Sequence, residues 1–212
     1  MSSPARRGST RRTRAEQNAD SGRRLFTALV DLVAEQGYDA TSAAEIGVRA
    51  GFSRAMVHAR FGTKDALFDE LIRTEFDQRI LGHIGDDLTG LQRLLSILDR
   101  LDQLATEDAR FLRAMFVLCF EAVRGSPAVT PRIIQWLAGL EGAIVDAMTA
   151  GQNDGSLRAD VQPSDAAHEC LMYGLGVAYA WIVLPGTDVH AELERFRARI
   201  VADYAAPTRK RR

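Results

Sequence analysis

The chain has 212 residues, of which 46% are hydrophobic and 26% charged, with a formal net charge of −1. That is ample apolar material for a packed core in one or two domains, and a net charge too small to announce a nucleic-acid partner. The distribution of charge says more: through Lys64 eleven Lys/Arg stand against six Asp/Glu, a balance of +5 that the remainder reverses with −6. A basic N-terminal third on an acidic body is the electrostatic footprint of a DNA-binding head; a solvated basic tail with no partner is the plain alternative. Cys119 and Cys170 sit in apolar stretches, as buried thiols of a reducing compartment do. No apolar run reaches about 18 residues, and the Arg-rich start lacks an apolar leader segment. A cytoplasmic protein without a membrane span is expected.

Residues 1–13 are Ser, Pro, Gly and Arg without apolar period, which reads as a disordered basic arm. Arg6, Arg7, Arg11, Arg12 and Arg14 reach phosphates or a minor groove in one reading and are simply solvated in the other. From Arg14 to Gln36, Leu25, Phe26, Leu29, Leu32 and Val33 recur with helical period, and Gly37 stops the helix. Ser42 stands three residues before Glu45, the spacing of a capping box, and Gly51 ends the short helix that follows. Ser53 then caps a third helix with Val57 and Phe61 on one face and Arg54, His58 and Arg60 on the other. Two short helices around a tight turn make a helix-turn-helix, whose second helix enters the major groove. A fourth helix spans 63–81, with Leu67, Phe68, Leu71, Ile72 and Phe76 as its apolar stripe. Five more are expected at 88–105, 108–124, 128–151, 163–184 and 188–205, punctuated by Gly125-Ser126-Pro127, Gly151 to Ser156 and Pro185-Gly186. The fold class is therefore all-α with nine helices, and 207–212 is a basic tail.

Leu25-Phe26, Gly37-Tyr38, Thr41-Ser42, Glu45-Ile46, Arg49-Ala50-Gly51-Phe52-Ser53, Phe61-Gly62-Thr63-Lys64 and Leu67-Phe68 occur in one order and spacing. Residues 24–68 thereby resemble the N-terminal domain of the tetracycline-repressor (TetR) family of transcription regulators. The resemblance implies a helix-turn-helix domain over 14–62 on an effector-binding and dimerisation domain over 63–206. By matching positions, it implies DNA contacts from Thr41, Ser42, Arg54, Ala55, His58, Ala59, Arg60 and Lys64. Thr41, Ser42 and Lys64 correspond to phosphate-contacting positions, while Arg54 has the planar fork that reads guanine O6 and N7, with a phosphate contact as the alternative. The recognition helix departs from the usual pattern. Family members often carry Gly near Ala55, Tyr at His58 and an aromatic or His near Ala59 and Arg60, so the operator does not follow from the resemblance.

For the body, the resemblance implies an effector cavity and a homodimer formed by the last two helices. Met115, Phe116, Cys119, Trp136, Met172 and Tyr173 are the candidate lining, although Met and aromatic residues at helical spacing also describe plain core. A dimer places two recognition helices about 34–36 Å apart, or a multiple of that, on a pseudo-palindromic operator. The mechanism implied is a repressor released from DNA when a small apolar or amphipathic molecule favours another head separation. No cofactor and no metal site are expected. Two other classes stand beside it: a helical effector-binding protein that has given up DNA, and an all-α enzyme. The four histidines, His58, His83, His168 and His190, show no metal-ligand spacing, and adjacent His168-Glu169-Cys170 point apart on a helix.

Overall fold

In the computed structural model the described residues are 13–82, 85 and 87–207. The expected arm and tail therefore lie outside the described residues apart from Thr13 and Pro207. So do Arg6, Arg7, Arg11 and Arg12, the side chain of Arg14, and His83. Nine α-helices are formed among the described residues: α1 Arg14–Gln36, α2 Ala43–Arg49, α3 Met56–Phe61, α4 Lys64–Leu71, α5 Gly90–Glu107, α6 Ala109–Glu121, α7 Thr130–Asp154, α8 Pro163–Val183 and α9 Val189–Tyr204. The only extended pairing among them is a single antiparallel bridge between Leu157 and Ala205. The all-α, nine-helix expectation holds.

Local signals account for most helix ends. Ser42 accepts from Glu45 N while the Glu45 carboxylate accepts from Ser42 N at 2.8 Å, the capping box read from the spacing. Gly51 stands at φ +77° and Gly37 at φ +83°, conformations that a side chain disfavours. Three details differ from expectation. Ser53 does not cap α3: the helix starts after Ala55 without a side-chain cap, and Ser53 instead closes a turn by accepting from Met56 N at 3.0 Å. The fourth helix is helical over its expected length, but Ile72–Leu81 continue α4 with π geometry, closed by Gly82 N donating to Asp77 O at 2.7 Å. Such wide turns are rare, and they gather at functional sites. Gly151, read as a helix breaker, lies inside α7. Space is short there: a Cβ on Gly151 would meet the Leu157 side chain at 2.5 Å, and Gly90 at the start of α5 lies against the Gly151 backbone.

α1 buries Leu25, Phe26, Ala28, Leu29, Val30, Leu32 and Val33. That is more than one stripe, because α1 lies between the helix-turn-helix and α6. Its partner α4 contributes Leu67, Phe68 and Leu71, all fully buried. The body is built by α5, α7, α8 and α9 packing on one another, with α6 against α1, α5 and α8. Polar links tie the two parts together. Asp31 of α1 pairs with Arg110 of α6, Asp69 of α4 with Arg132 of α7, and Ser126 Oγ donates to Asp39 at 2.9 Å. No helix among the described residues is long and apolar enough to cross a membrane.

Candidate nucleic-acid interface and ligand cavity

α3 buries Val57 against the head and presents His58 and Ala59 to solvent, and the turn leading into it exposes Arg54 and Ala55. Arg54 has no ion pair or hydrogen bond among the described residues, so its five donors remain available. His58 Nδ1 lies 2.7 Å from Gly62 O. A carbonyl can only accept, so Nδ1 carries the proton, and the exposed Nε2 of the neutral ring is an acceptor. Arg60 is turned away from these residues. Its guanidinium donates to Ser21 Oγ on α1 and covers Gly22, where a Cβ would meet it at 3.1 Å.

The three positions matched to phosphate contacts fare differently. Ser42 is exposed at the start of α2, with its hydroxyl engaged in the capping box. Thr41 is 2% exposed, and its hydroxyl donates to Gly37 O at 2.9 Å, so it shapes the turn from inside. Lys64 reaches back over the Tyr38 ring and donates to Tyr38 O and Thr41 O, each at 2.7 Å. Burial lowers its pKa from the ordinary lysine value, against the opposing pull of Asp65. Two of its three ammonium protons therefore hold the loop between α1 and α2, leaving one for a ligand. Tyr38 is fixed from its other end as well: its hydroxyl donates to Asp65 at 2.6 Å, and burial, then that carboxylate, push its ionisation far up.

Sequence reasoning missed Arg24. Its Nη2 donates to Ala50 O at 2.6 Å and its guanidinium stacks 4.4 Å from the Phe52 ring, which satisfies the end of α2 and fixes the turn into α3. Nothing local marks it, because its partner lies 26 residues away.

In the body, an apolar cavity of about 70 Å³ lies between α5, α7, α8, α9 and the π segment, with Ile80, Leu98, Phe116, Trp136, Leu171 and Phe196 among its walls. Of the six candidate lining residues, Phe116 and Trp136 face this space. Met172 and Tyr173 line a separate outer groove with Arg199 and Tyr204. Met115 and Cys119 are buried in the core without facing the cavity, and burial pushes the Cys119 thiol up to about 12. A wall this apolar offers dispersion and dehydration, and few hydrogen bonds. Among the described residues no three His, Cys, Asp or Glu converge as metal ligands.

Residues 25–71 match the family described as bacterial regulatory proteins, tetR family. No curated protein matches the chain. Among solved structures, SmeT, the repressor of the Stenotrophomonas maltophilia multidrug efflux pump SmeDEF, aligns at 20% identity and a TM-score of 0.70, over 89% of this chain and 94% of that one. The SmeT–triclosan complex gives a TM-score of 0.74 at 20% identity, over 89% and 93%. The fatty acid degradation regulator FadR from Bacillus halodurans aligns at 15% identity and 0.71, over 90% and 97%. At these identities the structures establish a shared fold.

Proposed function

We propose that this chain, a member of the tetR family of bacterial regulatory proteins through residues 25–71 and a match to that family's fold, is a dimeric transcriptional repressor. It leaves a pseudo-palindromic operator when an apolar or amphipathic molecule enters the body. The observation that carries the DNA half is the exposed face of α3. Arg54, His58 and two alanines are exposed beside buried Val57, next to a turn that Arg24 fixes through Ala50 O. Small Ala55 and Ala59 let the helix approach base edges, while Arg54 supplies the bidentate donor.

The dimer half rests on exposed apolar side chains of the last two helices. Met172, Tyr179 and Val183 of α8 and Leu184 just past its end are 46–55% exposed, and Val201 of α9 is 42% exposed. Gly176 has nothing within 4 Å of where a Cβ would stand, which leaves room for close approach by a second copy. The ligand half rests on the cavity, and on α4 running from the head through the π segment to Ile80 at its wall. SmeT was solved with triclosan, and a protein from Saccharomonospora viridis with the same fold (19% identity, TM-score 0.66, covering 89% of this chain and 100% of that one) was solved with choline. A ligand site in the body is in keeping with both.

The test is binding to the DNA flanking the chain's own gene at two salt concentrations. Sequence-specific binding with a steep salt slope supports the reading. Binding that is weak and indifferent to sequence removes the repressor assignment and leaves a helical ligand-binding protein. Sedimentation of a Tyr179→Glu, Leu184→Glu double variant, expected as a monomer, tests the dimer face.

A further inference from the structure

Five exposed side chains stand on α3 and at the end of the turn before it. Arg54 and Arg60 can only donate hydrogen bonds, and Ala55 and Ala59 offer methyl groups. His58 is the acceptor among these five. Its Nδ1–H donates to Gly62 O at 2.7 Å, and Gly62 is the C-cap of its own helix, at φ +79°. The last carbonyls of a helix lack intrahelical donors, so the imidazole completes the end of α3 and is held there in one orientation. Nε2 of the neutral ring keeps its lone pair, with no hydrogen-bond partner among the described residues.

A duplex offers that lone pair few matches. Phosphate oxygens accept, as do guanine O6 and N7 and thymine O4, and acceptor against acceptor makes no bond. Cytosine N4 and adenine N6 are the major-groove donors. We propose that His58 sets operator specificity by accepting a hydrogen bond from the amino group of a cytosine or an adenine, and that it makes no phosphate contact. The chain already follows a helical turn from Arg54 onward, with Ala59 N donating to Ala55 O at 2.9 Å. Four residues rise about 6 Å along a helix, and bases are spaced about 3.4 Å along a strand. With α3 lying along the groove, the amino base stands about two base pairs from the guanine read by Arg54. A cationic donor and a neutral acceptor one turn apart thus divide the bases between them. Arg54 selects guanine, and His58 rejects guanine and thymine on the strand it faces. This inference rests on the DNA half of the proposed function and names what one residue of that site reads.

The experiment is selection from a pool of duplexes with a randomised core, using the full chain and its Arg54→Ala, His58→Ala and His58→Lys variants. Mildly alkaline solution favours the neutral imidazole. The parent is expected to enrich a guanine that Arg54→Ala loses. About two base pairs away it is expected to prefer A or C over G or T by about fivefold, the size of one hydrogen bond. His58→Ala should lose that second preference and keep the guanine, which also shows that α3 is intact. His58→Lys, able only to donate, should turn the preference toward guanine or thymine. A His58→Ala variant selecting the parent's bases at every position, or a His58→Lys variant still selecting A or C, would overturn the assignment. So would a His58→Ala variant that binds all sequences alike more weakly while the parent alone tightens on acidification, the mark of an imidazolium on phosphate. A parent that enriches the guanine without a second preference removes His58 as a reader and keeps the repressor reading. A parent that binds every duplex alike removes both.

Discussion

In the head, Arg24, Thr41 and Lys64 each give donors to backbone carbonyls, whereas the body is held by apolar packing around a small apolar cavity. The recognition helix has six residues, of which only Val57 is buried, so little apolar area of its own holds it in place. Charged side chains reaching over turns supply the missing rigidity, and the reading surface is left to Arg54 and His58. The body has apolar area to spare. Its helices pack closely enough to hold a cavity open. Rigid presentation suits a partner that is itself rigid, such as a DNA groove. An enclosed apolar space suits a small apolar ligand.

The contrast can be broken at its strongest point by Gly90→Ala. The new Cβ meets Gly151 backbone, which cannot rotate aside as a side chain can, so α5 and α7 must part. A loss of about 4 kcal/mol in unfolding free energy is expected, beyond the usual overpacking range, read by denaturant unfolding. Next is Lys64→Ala, which leaves Tyr38 O and Thr41 O without their donor. It is expected to cost about 3 kcal/mol of stability and to weaken binding to every DNA sequence alike. A variant of unchanged melting temperature whose DNA affinity alone falls would return Lys64 to a pure phosphate contact. Arg54→Ala sharpens the comparison from the other side. It should leave the melting temperature unchanged and weaken operator binding by about 1–3 kcal/mol, with relaxed preference at one base pair.

The smallest effect belongs to Asp77. Burial holds its carboxyl above the ordinary 3.8, so the folded chain binds that proton more tightly than the unfolded chain does. Its contribution to stability is greatest below the unfolded value, falls as pH rises toward the folded value, and is an undiminished cost above that. Asp77→Asn should therefore melt slightly higher than the parent at neutral pH, with a gain that shrinks as the solution is acidified. A gain independent of pH would show that the carboxyl is not held up by burial.

How much of this was legible beforehand depended on range. The nine helices, the capping box at Ser42 and the positive-φ glycines Gly37 and Gly51 are written in spacings of three or four residues, and they stand as read. Ser53 and Gly151 mislead for the same reason. A serine near a helix start and a glycine within an apolar stretch are judged by local habit, and packing overrides each: the Ser53 backbone lies against Gly47 of the preceding helix, whose Cβ would be 2.5 Å from Ser53 O, and Gly151 lies against Gly90, far along the chain. The roles of Arg24, Arg60 and Lys64 had no local signal, since their partners lie 23 to 39 residues away. The sequence alone determined the helices, their order and the chemical character of the exposed α3 face, because periodicity and capping act within one or two turns. Only the tertiary structure decided which cations serve the fold and which face solvent, and which of six candidate residues line the cavity, because each depends on which distant part of the chain a side chain meets.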